Sequence, residues 1–206
     1  MNVAALIIGI DGWEEYTLPL VKGILRHEPT TKIVVIDNAS EEPYKTANHN
    51  NVFEIRTERL CYSAAINKAK RCADTLGEID WYVVLSNDVM CVGEFHSRLE
   101  RAGDLAMVGP TVGYVWGQYP HIMGYCVAIP RKVWDSVGNW DENFTMSSWE
   151  DVDYSIRAYR MGFKLCYDEN LPFVHLDQRQ RFDLEGFYPS NDKNMAYLKR
   201  KHGIRA

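Results

Sequence analysis

An uninterrupted apolar run near the middle of the chain is the feature that most constrains its fold. The residues of Trp81–Leu85 follow one another without any polar alternation. Such a run is typical of a strand that is covered on both faces, as in a parallel sheet. The run stops abruptly at Ser86, Asn87 and Asp88. The sequence therefore predicts a buried parallel strand whose carboxyl end carries small polar side chains.

Strand-like runs alternate with helical patterns along the first half of the chain. Strands are predicted at about 3–10, 32–37, 52–56 and 81–86, and helices at about 13–27 and 61–76. This order is typical of βαβ units, and hence of a parallel sheet flanked by helices. The second half is mixed, with strands predicted at about 125–129, 163–168 and 172–176, and helices at about 131–137, 150–161 and 190–202.

Composition and charge exclude several classes of protein. The 206 residues are 46% hydrophobic and 25% charged, which predicts a globular domain with an ample core. A net charge of −5 provides no general attraction to nucleic acid or to anionic membranes. The five cysteines are odd in number and form no CxxC pair, so we expect reduced thiols and a cytoplasmic location. The apolar start ends at Asp11 and is too short to span a membrane.

The polar triplet after the central strand predicts a binding site. Open α/β sheets bind ligands at the carboxyl ends of their strands, and small oxygen-bearing side chains suit that place. The carboxylate of Asp88 is a ligand for a hard cation, and Ser86 and Asn87 can bind a phosphate beside it. The competing interpretation is an ordinary turn, which Ser, Asn and Asp also favour.

A second strand end and the helix after it offer further polar groups. Asp37 ends the strand near 32–37 and could accept the imide N–H of uracil or thymine, or the ring N–H of guanine. Its competing interpretation is an Asx turn. Arg59 could pair with a phosphate or stack on a base, and Asn67 offers a donor and an acceptor on a helix of small residues. The competing interpretation of Asn67 is the polar face of an ordinary helix, and that of Arg59 is a merely solvated side chain.

The densest acidic feature is the segment Trp149–Asp153. Carboxylates in the first turn of a helix are favoured by the helix dipole, which accounts for Glu150 and Asp151 without any chemistry. They also suit a site for a sugar or an alcohol, with one carboxylate as a general base. His175 follows an apolar run and is either a hydrogen-bonded core residue or a metal ligand that joins Asp88. A histidine ligand would favour manganese over magnesium.

The order of these segments carries a family resemblance. Seven segments together resemble the family 2 glycosyltransferases of the GT-A fold, and their rhamnosyltransferase-like branch in particular: Val35–Ser40, Glu58–Asn67, Leu85–Val89, Gly124–Arg131, Val137–Glu142, Trp149–Arg157 and Phe173–His175. The resemblance implies an α/β, Rossmann-like fold with a mixed, mostly parallel central sheet flanked by helices. It implies one domain over 1–206, with a nucleotide-binding half at 1–90 and an acceptor-binding half at 91–206.

The resemblance also implies roles for single residues. Asp37 matches the residue that reads the nucleotide base, while Arg59 and Asn67 lie in the segment that lines the nucleotide pocket. Asp88 matches the last, metal-binding Asp of the DxD motif, in which Ser86 and Asn87 replace the other members. Asp151 matches the catalytic base of the ED motif, with Glu150 beside it.

These roles imply an inverting transfer of a sugar from a nucleotide-diphosphate donor to an acceptor hydroxyl, with Mn²⁺ or Mg²⁺ as cofactor. The acceptor is a glycan, a small molecule or a modified base in DNA. Trp149 and Trp116 are the candidate aromatic residues for stacking on that acceptor. Arg179, Arg181 and the basic end at 199–205 are candidates for a local DNA-binding rim.

Other functions compete with this one. A nucleotidyltransferase is disfavoured because the segment Gly9–Glu15 is acidic and lacks a basic, Gly-rich loop. A catalytically silent module that only binds sugar nucleotides is favoured by the altered DxD motif and disfavoured by the intact Glu150–Asp151 pair. The sequence leaves the sugar, the base and the oligomeric state open, with a homodimer as one candidate.

Overall fold

The computed structural model describes residues 1–45, 47–176 and 186–204. Its strands are β1 (Val3–Gly9), β2 (Lys32–Asn38), β3 (Val52–Thr57), β4 (Trp81–Ser86), β5 (Val89–Cys91), β6 (Ala106–Gly109), β7 (Val112–Val115), β8 (Tyr119–Ile122), β9 (Cys126–Pro130), β10 (Lys164–Tyr167) and β11 (Phe173–His175). Its α-helices are α1 (Leu18–His27), α2 (Tyr62–Thr75), α3 (His96–Ala102), α4 (Arg131–Val137), α5 (Glu150–Arg160) and α6 (Phe187–His202). A π-helical turn at Trp13–Thr17 leads into α1.

One seven-stranded sheet organises the fold, in the order β10-β6-β9-β4-β1-β2-β3. Strands β1, β2, β3 and β4 run parallel to one another, β9 runs antiparallel to both of its neighbours, and β10 pairs with β6 in parallel. Both halves of the chain therefore contribute strands to the same sheet. This confirms the predicted mixed, mostly parallel sheet flanked by helices.

The central strands are apolar throughout because helices cover both faces of the sheet. In β1, Ala5 and Ile7 pack with α1 and α3 on one face, whereas Leu6 and Ile8 pack with α2, α4 and α5 on the other. The same holds for β4, all of whose residues up to Leu85 are buried. Hydrophobic residues at successive positions are thus required by the two-sided burial, as the sequence predicted.

Several short elements of the second half escape prediction from sequence. Strand β5 has three residues and β6 has four, which is too short for a hydrophobic period to emerge. The aromatic, Gly-containing passage after β6 forms the antiparallel hairpin of β7 and β8. Helix α6 begins at Phe187, earlier than the predicted position near residue 190.

A second, small sheet lies directly after β4, where β5 pairs with β11 in an antiparallel ladder. His175 lies opposite Val89 in this ladder.

The described helices include none that is long and apolar enough to cross a lipid bilayer.

Candidate active site

A cleft of about 410 Å³ lies at the carboxyl ends of β1, β2 and β4. This is the edge at which open α/β sheets bind ligands. Its walls also include the turn between β8 and β9 and the residues around the start of α5. Of the residues singled out from sequence, the cleft is lined by Arg59, Ser86, Asn87, Asp88, Glu150, Asp151 and His175.

Asp88 and His175 meet in this cleft. The β5–β11 ladder brings them together, and the backbone N–H of Leu176 donates to the carbonyl of Asp88 at 2.9 Å. Nε2 of His175 lies 3.2 Å from Oδ2 of Asp88, and the Ser86 hydroxyl donates to Oδ1 at 2.7 Å. Both side chains therefore present their ligating atoms to one point of the cleft wall.

The imidazole of His175 is held flat by an aromatic neighbour. The ring of Tyr125 stacks on it with centroids 4.3 Å apart and an interplanar angle of 6°. The Tyr125 hydroxyl is in turn hydrogen-bonded to that of Thr111 at 2.7 Å. Tyr125 was assigned no role from sequence, since a stacking partner so far from His175 along the chain leaves no local signal.

The chemistry of this pair fits a divalent cation. Burial raises the pKa of Asp88, but hydrogen bonds from His175 and Ser86 outweigh it and hold the pKa below its ordinary value. Asp88 is therefore a carboxylate at neutral pH. The described residues contain no cluster of three His, Cys, Asp or Glu side chains, so a cation here would take its other ligands from phosphate and water. The mixed oxygen and nitrogen donor set suits Mn²⁺.

Asp151 lies in the cleft at the start of α5. Its Oδ2 accepts a hydrogen bond from the backbone N–H of Gly124 at 2.8 Å, and Oδ1 accepts one from Val152 at 2.8 Å. Gly124 permits this close approach, because a Cβ at that position would lie 3.1 Å from both Cβ and Oδ2 of Asp151. Each carboxylate oxygen keeps a second acceptor site for a ligand. Glu150 also lines the cleft but is largely buried, whereas Asp151 is half-exposed.

Asp37 is not among the residues that line the cleft. Its side chain is 2% exposed, and its oxygens accept hydrogen bonds from the backbone of Ser40 at 2.9 Å and of Tyr44 at 3.2 Å. The Arg56 guanidinium donates to Oδ2 at 2.8 Å. Burial raises the pKa of Asp37, but these hydrogen bonds and the charge of Arg56 lower it below its ordinary value. The carboxylate organises the loop after β2, as the Asx-turn interpretation expects.

Asn67 likewise points away from the cleft. Its Nδ2 donates to the Trp140 carbonyl at 2.9 Å and to the Glu142 carboxylate at 2.8 Å, while its Oδ1 accepts from Trp140 at 3.0 Å. It therefore ties α2 to the loop after α4.

Asn87 and Arg59 do line the cleft. Nδ2 of Asn87 donates to the Asp11 carbonyl at 3.1 Å, which ties the end of β4 to the loop after β1. Arg59 is anchored loosely, with 3.5 Å between its guanidinium and the Asn38 carbonyl.

The two acceptor candidates pack against each other instead of lining the cleft. Trp116 and Trp149 are stacked with centroids 5.8 Å apart and an interplanar angle of 6°. The ammonium of Lys199 lies 5.3 Å from the centre of the Trp116 ring, and the indole N–H of Trp149 donates to Asn191 at 3.0 Å. Arg179, Arg181 and Arg205 lie outside the described residues.

The comparisons with known proteins concern the fold. No protein-family model matches the sequence, and no curated protein matches it.

Among the solved structures that are similar to the chain are three that each share 14% sequence identity with it. A structure of GalNAc-T7 with UDP, GalNAc and Mn²⁺ superposes with a TM-score of 0.68 over 84% of this chain and 43% of that one. The mannosyltransferase PcManGT from Pyrobaculum calidifontis, with GDP-Man and Mn²⁺, superposes with 0.67 over 100% of this chain and 65% of its own. TarS 1-349 from S. aureus, with UDP, superposes with 0.59 over 84% and 59%.

The chain thus spans between 43% and 65% of the length of these structures. At this identity the likeness concerns architecture and not activity. The chain has the GT-A fold of these structures.

Proposed function

We propose that this protein is a glycosyltransferase that moves a sugar from a nucleotide-diphosphate donor to an acceptor hydroxyl, with inversion at the anomeric carbon. The observation that carries the proposal is the convergence of three groups on one cleft. The carboxylate of Asp88, the imidazole of His175 and the carboxylate of Asp151 all line it. A cation-binding pair and a separate carboxylate base are the two parts that such a transfer needs.

Asp88 and His175 serve the donor in this proposal. A divalent cation bound by them supplies charge stabilisation to the diphosphate leaving group, so that no protein acid is required there. Ser86 holds Asp88 in its ligating orientation, and Tyr125 holds the imidazole. Arg59 and the end of β4 line the same cleft and provide further polar groups for contacts with the nucleotide.

Asp151 serves the acceptor as general base. It takes the proton of the acceptor hydroxyl while that oxygen forms its bond to the anomeric carbon. The bond between the anomeric carbon and the diphosphate oxygen breaks, and its electron pair leaves with the diphosphate. A single displacement of this kind inverts the anomeric configuration. The backbone N–H groups of Gly124 and Val152 fix the carboxylate in place for the step.

Thermal unfolding with nucleotides is the first experiment for this proposal. A ligand that binds only the folded state raises Tm by mass action. We expect one nucleoside diphosphate, or its sugar conjugate, to raise Tm in the presence of Mn²⁺ and to lose this effect with EDTA. The absence of any shift across UDP, GDP, dTDP, ADP and their common sugar conjugates would contradict the proposal.

A catalytically silent binding module is the second candidate, and one observation favours it. Only two ligating side chains meet at the candidate metal site among the described residues, fewer than an intact DxD motif and its partner would supply. Release of free sugar from the bound donor on addition of Mn²⁺ separates the two candidates, because a silent module leaves the donor intact. Membership of family 2, the nature of the acceptor and the division into halves at residue 90 remain part of the proposal.

A further inference from the structure

The loop between Phe144 and α5 is strained and forms part of the cleft wall. Met146, Ser148 and Trp149 have φ values of 54°, 93° and 73°, which side chains other than glycine rarely adopt. Met146, Ser147 and Ser148 line the cleft directly before Glu150 and Asp151. Backbone strain of this kind persists only where the surrounding structure holds it, and it concentrates at functional sites.

One buried side chain of α6 holds this loop. Asn194 is 2% exposed, and its Nδ2 lies within hydrogen-bond distance of three loop carbonyls, those of Thr145 at 2.8 Å, Ser147 at 3.3 Å and Ser148 at 3.1 Å. Its Oδ1 accepts the backbone N–H of Thr145 at 2.9 Å. The two N–H donors of the Asn194 amide are thus shared among three carbonyls of the loop.

Two neighbours on α6 act in the same way. The Ser190 hydroxyl donates to the Thr145 carbonyl at 2.8 Å, and Asn191 accepts the indole N–H of Trp149 at 3.0 Å. The Met146 carbonyl accepts from the Tyr62 N–H at the start of α2, which also lines the cleft. Helix α6 therefore holds the loop at Thr145 and at residues 147–149, and α2 holds it at Met146.

We propose that Asn194 is a positioning residue: it holds loop 145–149 in its strained conformation, so that the cleft wall and Asp151 keep the geometry that the acceptor needs. Asn194 itself is not among the cleft-lining residues, so it acts through the loop. This inference rests on the proposed transferase function for its kinetic part. Its structural part, the retention of the loop by Asn194, is independent of that function.

The matched variants are Asn194→Ala and Asn194→Asp. Alanine removes every contact of the side chain, whereas aspartate keeps an acceptor for Thr145 and lacks donors for the three carbonyls. Lys193→Ala removes an exposed side chain of the same helix and is the control. Should the Asn194 variants fail to fold, Thr145→Val removes the loop hydroxyl that bonds to Ser190 and Asn194 and leaves Asn194 in place.

Amide hydrogen exchange followed by mass spectrometry tests the structural part. We expect peptides that cover residues 144–151 to exchange at least about tenfold faster in both Asn194 variants, while peptides of β1 and β4 keep the parent rate. The Lys193 control should match the parent throughout. Unchanged exchange at 144–151 in a folded Asn194→Ala protein overturns the proposal.

Steady-state kinetics test the positioning part. With a donor that the parent turns over, kcat should fall by about tenfold to a hundredfold in Asn194→Asp, because a displacement of about 1 Å has effects of that size. KM for the donor and Kd for the nucleoside diphosphate with Mn²⁺ should stay within about twofold of the parent, since Asn194 does not line the cleft. Faster exchange with an unchanged kcat overturns the positioning role. A parent that binds no nucleotide contradicts the proposed function instead, and leaves the exchange result to decide about the loop.

Discussion

The ends of β2 and β4 carry similar sequences, yet the structure uses their carboxylates in different ways. Each strand is an apolar run that ends in Asp, Asn and Ser in some order. Asp37 is enclosed by two backbone N–H groups and the guanidinium of Arg56. Asp88 lines the cleft, and among the described residues the side chains of Ser86 and His175 contact its carboxylate.

The difference shows that two carboxylates at similar strand ends have different partners, because the loop after β2 bonds to Asp37 whereas a side chain of β11 contacts Asp88. After β2, the chain turns through Ala39, with φ of 63°, so that the N–H groups of Ser40 and Tyr44 face Asp37. After β4, the chain continues at once into β5, whose partner strand β11 brings His175 to Asp88. We infer that Asp37 acts on stability and Asp88 on metal binding.

The largest expected effect concerns Asp151, a carboxylate that lines the same cleft as Asp88 but lies on helix α5. Asp151→Asn removes the proton acceptor but keeps the shape of the side chain, and we expect turnover to fall by about a thousandfold or more. Nucleotide binding with Mn²⁺ should remain near that of the parent. Measurement of sugar transfer or donor hydrolysis, beside a nucleotide titration, checks both points. Turnover within tenfold of the parent would exclude Asp151 as the base.

The next largest effect should separate Asp88 from Asp37. Asp88→Asn removes the negatively charged ligand of the cation, so the Mn²⁺-dependent rise in Tm with nucleoside diphosphate should disappear, whereas Asp37→Asn should retain it. Asp104→Asn, at an exposed carboxylate paired with Lys132, is the matched control. Equal loss of the effect in the Asp37 and Asp88 variants would contradict the distinction between the two strand ends.

Asp37 should instead affect the stability of the protein without ligand. Asp37→Ala leaves the N–H groups of Ser40 and Tyr44 without their acceptor in a buried loop, which destabilises the folded state by about 2 kcal/mol. Arg56→Met keeps these two hydrogen bonds and removes only the guanidinium, so its effect should be smaller. Urea denaturation of both variants measures the difference. A free energy of unfolding unchanged in Asp37→Ala would show that the loop does not depend on the carboxylate.

The smallest expected effect is on the pH dependence of stability and involves a buried carboxylate on helix α5, Asp153. Asp153 is fully buried and accepts from Arg157, Lys201 and His202. Arg160 donates to Nδ1 of His202 at 3.1 Å, so Nδ1 carries no proton and Nε2–H donates to Asp153 at 2.7 Å. His202 is thus neutral in the folded protein. Burial lowers the pKa of His202, and the neighbouring Asp153 opposes this only in part.

A neutral buried histidine makes stability depend on pH in one direction. As the pH falls, His202 binds a proton in the unfolded state before it does so in the folded state. Its contribution to the free energy of unfolding is therefore complete above the unfolded pKa of about 6.5 and is lost as the pH drops through the lower pKa of the folded state. His202→Gln should show a weaker loss of stability between about pH 6.5 and 5 than the parent. Because burial also lowers the pKa of His96, the measurement is the difference between the two proteins in urea denaturation at each pH. Parallel pH profiles would contradict this account.

Much of the fold follows from local patterns that a sequence can show. The strands of the first half begin and end within a few residues of their predicted bounds, and α4 occupies its predicted range. These elements are long or strongly periodic, and each is bounded by polar or Gly residues. The β7–β8 hairpin and the three residues of β5 could not be predicted in this way, because their pairing partners determine them.

The candidate site likewise contains residues that the sequence could point to and residues that it could not. The sequence singles out Asp88, Asp151 and His175 as candidates, and the structure brings all three to one cleft, where their roles stay a proposal. Asp37 and Asn67 are candidates of the same kind, but their side chains bond to nearby loops and are not among the residues that line the cleft. The sequence did not reveal Tyr125 or Asn194, whose partners are distant in sequence.

The sequence by itself thus determined the two-sided burial of the sheet and the residue types available at its carboxyl edge, since hydrophobic period and composition are local properties. Tertiary structure alone decided which of those polar groups line the cleft. The reason is physical: a polar side chain bonds to whichever donor or acceptor the fold brings within about 3 Å. For Asp37 that partner is its own loop. For Asp88 it is a histidine from β11, and the same strand pairing leaves their shared point open to the cleft.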